Sequence, residues 1–150
     1  DKARKIVLGS VLYSKIESLE GVRKFNEIAD KSDGILIDRG DLSSQIPIEL
    51  ISFVQKDLIK RCVLKGKEIF VATDTLQNMF SALRPNAADA NDMVNTILDG
   101  ATGIALTKET AIGKYPIQTV EMLKKIAEVV RKHKENSFNV QEYFKNKITI

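Results

Sequence analysis

A single cysteine, Cys62, occurs in 150 residues, which excludes an internal disulfide framework and fits a reducing compartment. Its neighbours at helical spacing, Leu58, Ile59 and Val63, mark it as a buried structural thiol rather than a nucleophile. No apolar run approaches the roughly 20 residues of a membrane span, and no signal peptide opens the chain. Arginine-rich blocks and aromatic-interleaved basic stretches are missing too, so the formal charge of +3, from 23 basic and 20 acidic residues, offers no nucleic-acid surface. The expectation is a soluble, cytoplasmic protein with neither nucleic acid nor membrane among its partners. An initiator methionine is also lacking: Asp1, Lys2, Ala3, Arg4 and Lys5 read like the middle of a helix, so a portion upstream is expected.

What is present is enough for one core. The 150 residues are 43% hydrophobic, yet they fall short of the roughly 250 of a closed eight-stranded β/α barrel. The stretch from Gly34 to Leu42 organises the rest. Gly34, Ile35, Leu36 and Ile37 pass directly into Asp38, Arg39, Gly40, Asp41 and Leu42, the pattern of a buried parallel strand delivering polar groups to its carboxyl end. Gly40 lets the backbone approach a ligand, so its NH and that of Asp41 suit an anion, while the Asp41 carboxylate suits a hard cation beside it. Arg, Gly and Asp also meet in ordinary exposed turns, and this stretch alone leaves both readings open.

Taken in order, residues 2–8 read as a helix end closed by Gly9, or as a strand beginning at Ile6. Val11 to Ile16 reads as a strand whose period of two puts Lys15 and Glu17 on one side. Helical spacing follows from Gly21 to Ala29. A second helix opens at Pro47, carries Ile48, Ile51, Leu58, Ile59 and Cys62 inward and stops at Gly66. Strand Ile69 to Ala72 ends in Thr73 and Asp74. A short apolar segment around Leu76 to Phe80 leads to a helix from Ala88 to Asp99. Strand Gly103 to Leu106 ends in Thr107, Lys108, Glu109 and Thr110, and Pro116 starts the last strong helix. This alternation implies an α/β protein with a parallel sheet and right-handed crossovers. All four strands end in polar residues, which raises the expectation of a site there. Lys15 and Glu17 also fit a simple salt bridge, Thr73 fits an ordinary strand residue, and His133, among Arg131, Lys132 and Lys134, fits a solvated helix end. Ser137 to Ile150 is either a short helix and strand or a linker.

Several ordered runs carry a family likeness. They are Lys15, Ile16, Glu17 with Glu20, Gly21, Val22, Arg23; then Ser32, Asp33, Gly34 with Arg39, Gly40, Asp41, Leu42, Ile46, Pro47, Gln55; then Ala72, Thr73, Leu76, Met79, Arg84, Pro85; and finally Glu109, Thr110, Ala111, Gly113, Tyr115, Pro116. Over about residues 10–130 the chain resembles pyruvate kinase, specifically the second half of its catalytic barrel. The resemblance implies four consecutive βα units forming the second half of a TIM (β/α)8 barrel. Residues 1–136 would be a partial barrel domain and 137–150 a C-terminal tail or linker. It implies a phosphotransferase of glycolysis that moves phosphoryl from phosphoenolpyruvate to ADP, giving pyruvate and ATP, once joined to the rest of the barrel. Lys15 and Thr73 would be catalytic, Lys15 stabilising the phosphoryl group in flight and Thr73 lying beside the enolate. Glu17 and Asp41 would hold Mg2+ or Mn2+, and the Gly40 and Asp41 NH groups would receive the substrate carboxylate. A potassium ion would come through the other half, and a homo-oligomer or that other half would cover the open sheet edges.

Four positions depart from the family pattern: Asp38 replaces a small apolar residue, Ser43 a glycine, Asp74 a glutamine and Lys108 a glycine. Asp38, Asp74 and Lys108, with the absent half of the barrel, support an alternative, a catalytically inactive pyruvate kinase-like binding or assembly module. A metal-dependent lyase acting on an enolate is a third reading.

Overall fold

The computed structural model describes residues 9–135 and Val140. The element expected over residues 2–8, and the 137–150 segment apart from Val140, lie outside the described residues. The four apolar runs become strands β1 (Tyr13–Ile16), β2 (Gly34–Asp38), β3 (Glu68–Ala72) and β4 (Gly103–Ala105). They pair in parallel in the order β1-β2-β3-β4, so each connection crosses over through helix. Helices α1 (Leu19–Arg23) and α2 (Phe25–Lys31) lead to β2, and α3 (Arg39–Ser43) and α4 (Ile48–Leu64) lead to β3. A 3-10 turn (Gln77–Phe80) and α5 (Ala87–Asp99) lead to β4, and α6 (Lys108–Ala111) and α7 (Pro116–Lys134) follow it.

The period of two divides the sheet into unlike faces. Ile16, Ile35, Ile37, Ile69 and Val71 point to the helices and meet Phe25, Ala29, Leu58, Ile59 and Cys62, all but fully buried. Each large apolar side chain so buried contributes about 1.5–3 kcal/mol. A second cluster, Leu76, Met79, Met93, Ile126 and Val130, seats α5 and α7 around the loop after β3. On the opposite face large residues sit over glycines. A β-carbon on Gly34 would meet the Tyr13 ring and one on Gly103 the Phe70 ring. The two rings meet edge to face at 5.5 Å, and the Tyr13 hydroxyl donates to Glu68.

Local chemistry explains where the elements differ from expectation. β1 begins only at Tyr13, because the Leu12 carbonyl accepts from the Asp33 and Gly34 NH groups and Val11 is exposed. The single helix expected over 21–29 is two. The Ser18 hydroxyl caps α1 by accepting from the Gly21 NH, and the chain turns at Lys24 (φ −91°, ψ 14°) before α2 buries Phe25 and Ala29. Asn86 caps α5 one residue earlier than expected by accepting from the Asp89 NH at 2.7 Å. The polar runs after β2 and β4 coil into single helical turns, α3 and α6.

Candidate active site

The carboxyl ends of the first three strands converge. Lys15, one residue before the end of β1, lies with its Nζ 2.5 Å from Glu17, 2.7 Å from Asp38 and 3.3 Å from Asp41. Side-chain oxygens of Glu17, Asp38 and Asp41 all lie within 4.8 Å of one another. The carboxylates differ in freedom: the side chains of Glu17 and Asp41 are 44% and 62% exposed, that of Asp38 only 9%. Three hard oxygen donors at this separation fit magnesium or manganese once the exposed pair turns toward a shared ion. Asp38 first, then Glu17, raises the Lys15 ammonium well above its ordinary value against a smaller opposing effect of desolvation.

Asp38 is the hub of this cluster. It is the last residue of β2 and the cap of α3, which is why a strand residue faces the helical turn that follows it. Its Oδ1 accepts from the Asp41 NH at 3.3 Å and lies 2.9 Å from the Thr73 hydroxyl, while Oδ2 pairs with Lys15. Burial pushes the Asp38 carboxyl up, but the Lys15 ammonium, the Thr73 hydroxyl and the Asp41 NH together outweigh it and hold the group below the usual carboxylate range. The Gly40 NH donates to Thr73 Oγ1 at 2.7 Å. Thus both NH groups expected to receive an anion point at Thr73 and Asp38.

Thr73 is delivered by strained backbone. Thr73, Asp74 and Leu76 have φ of 65°, 52° and 48°, a left-handed conformation that costs a non-glycine residue about 1–3 kcal/mol. Arg39 holds this turn. Buried beside it, Arg39 donates from Nε and Nη2 to the Thr73 carbonyl (3.0 and 2.9 Å) and from Nη2 to the Asp74 carbonyl (2.8 Å). Its Nη1 meets Asp92 at 2.7 Å and Gln55 at 3.4 Å, and Gln55 in turn donates to Thr96 at 3.0 Å. Sequence reading names Arg39 and Gln55 only as parts of a motif and leaves out Asp92. One signal was there: Gln55 is a polar residue within the apolar stripe Ile51, Leu58, Ile59 and Cys62 of α4.

The fourth strand end behaves differently. Glu109 is fully buried and turns back on its own segment, its Oε2 accepting from the Thr107 NH at 3.0 Å. Lys108 alone reaches toward the others, 3.8 Å from Asp74. Two of the four departures, Asp74 and Lys108, therefore form one ion pair linking the loops after β3 and β4.

Known proteins share this arrangement of sequence and fold. Residues 4–120 match the family described as pyruvate kinase, barrel domain. The chain is 44% identical over 125 residues to pyruvate kinase of Thermococcus litoralis, covering 83% of this chain and 26% of that relative. It is 47% identical over 116 residues to pyruvate kinase PKLR of Rattus norvegicus, covering 77% and 20%. A crystal structure of a pyruvate kinase from Cryptosporidium parvum superposes with a TM-score of 0.76 at 41% identity, covering 77% of this chain and 23% of that one. The chain therefore spans about a quarter of the length of the curated relatives it matches.

Proposed function

Because this chain belongs to the pyruvate kinase family, matching it through the barrel domain, we propose that the full protein transfers phosphoryl from phosphoenolpyruvate to ADP. The P–O bond of the phosphoenolpyruvate ester breaks, a P–O bond to the terminal oxygen of ADP forms, and the enolate left behind takes a proton at carbon to become pyruvate. The observation that carries the reading is the convergence of Glu17 and Asp41 with the Lys15 ammonium between them.

Phosphoryl transfer needs positioning and charge neutralisation more than covalent help. In this reading Glu17 and Asp41 hold the divalent cation, magnesium or manganese, which when bound neutralises charge on the phosphoryl and carboxylate oxygens. Lys15 Nζ donates to the phosphoryl oxygens in flight. The substrate carboxylate replaces Thr73 Oγ1 and Asp38 Oδ1 as acceptor of the Gly40 and Asp41 NH groups. Thr73, released from Gly40, keeps its hydroxyl beside the enolate carbon where the proton arrives. Potassium and further phosphate contacts come from the remaining half of the barrel, which pairs with the edges of β1 and β4; among the described residues each of these strands has a neighbour on one side only. A homo-oligomer and a cytosolic setting go with the same reading. Among the described residues no helix is long and apolar enough to cross a membrane.

One observation favours a second reading. The same two NH groups and the ammonium are already satisfied by Asp38 and Thr73, as suits an inactive binding or assembly module. Lactate dehydrogenase-coupled turnover of the full-length protein, with magnesium and potassium, separates the two. Pyruvate formed from phosphoenolpyruvate only when ADP is present supports the kinase; its absence leaves the module.

A further inference from the structure

The three carboxylates around Lys15 are not equivalent, and the difference assigns them different work. The side chains of Glu17 and Asp41 stand about half open to solvent, whereas that of Asp38 is nearly buried. Asp38 is also pinned from its other oxygen by the Thr73 hydroxyl and, until a substrate carboxylate takes it, by the Asp41 NH. An ammonium offers three protons, and here three acceptors surround it. A divalent cation drawn to Glu17 and Asp41 repels that ammonium and takes two of its three partners. Only Oδ2 of Asp38 remains to hold it nearby.

We propose that Asp38 is a positioning residue for Lys15: a fixed counter-ion that keeps the ammonium beside the reacting centre while Glu17 and Asp41 turn to the cation. This rests on the reading above, in which Glu17 and Asp41 are the cation's ligands. It gives a role to a residue that departs from the family pattern. With Asp38 in place the ammonium and the cation have separate partners. Without it, the carboxylates that balance Lys15 are the ones the cation needs, so the two positive charges compete. The cluster's formal charge points the same way: three carboxylates and one ammonium leave two negative charges, the amount one divalent cation neutralises.

The test is a double-mutant cycle on the full-length protein, with Mg2+ alone titrated by calorimetry. Asp38→Asn weakens Mg2+ binding in the presence of Lys15 and weakens it about tenfold less in the Lys15→Met background, because there no ammonium is released to compete. Equal losses in both backgrounds mean that Asp38 acts on the cation directly and overturn the proposal, as does no loss in either. Asp38→Ser, which keeps an acceptor for Thr73 and the Asp41 NH, serves as the second variant if the asparagine variant melts early in circular dichroism. Mg2+ binding that is unchanged by Glu17→Gln removes the ligand assignment itself, a result distinct from equal losses in the cycle.

Discussion

The Tyr13 ring fills the space that a β-carbon on Gly34 would occupy. The same ring meets Phe70 edge to face at 5.5 Å and is tied to Glu68 through its hydroxyl. Gly34→Ala therefore pushes the ring out of both contacts and is expected to destabilise the protein by about 1–3 kcal/mol. Urea denaturation of Gly34→Ala, and of the same change in a Tyr13→Ala background, measures it. The penalty should largely vanish once the ring is gone.

Arg39 makes the strained turn affordable. Arg39→Met leaves the Thr73 and Asp74 carbonyls without their donor and is expected to lower stability by about 3 kcal/mol. Arg39→Lys should recover little, since a point charge cannot reproduce a planar fork that spans two carbonyls and Asp92. Chemical denaturation of the three proteins reports the order.

On the proposed kinase reading, Lys15→Met takes away the ammonium assigned to the phosphoryl group and is expected to cut kcat of the full-length protein by about 10²- to 10³-fold. Mg2+ binding by calorimetry should survive, because the carboxylates stay. Turnover equal to that of the unaltered protein contradicts the assigned role.

Desolvation in the core pushes the Cys62 thiol up from 9.0 to about 11, against a weaker pull from Lys67 and Lys65. A thiol raised in the folded state stabilises it fully below pH 9.0 and loses that contribution progressively as pH rises toward about 11. The folded protein at pH 8 should resist iodoacetamide, and Cys62→Ala should flatten the alkaline limb of the stability profile between those two values. Rapid alkylation without denaturant would contradict both.

β2, β3 and β4 were legible as short, mostly apolar runs, and for β1 the period of two put Lys15 and Glu17 together. The turn at Lys24 was not, since nothing local distinguishes Val22, Phe25, Ile28 and Ala29 from one continuous apolar stripe. Only the burial of Phe25 and Ala29 in the core requires the break. The likeness to a known family pointed to Glu17, Asp41 and Thr73, while the local run could not say that Asp38 is buried among them. Its partners Lys15 and Thr73 lie 23 and 35 positions away, a distance that periodicity does not cross. Lys108, marked in the sequence only as standing in place of a glycine, finds Asp74, a pairing visible only once the ends of β3 and β4 are side by side.

Arg39 also ties the turn after β3 to α5, through its ion pair with Asp92. One edge of its rigid plane holds the Thr73 carbonyl, and Nη1 leans on Asp92 of α5. One planar guanidinium thus joins α5 to the backbone of the turn that carries the Thr73 hydroxyl. On the proposed reading, a pull on that helix from outside the cleft would be felt at Thr73 through Arg39.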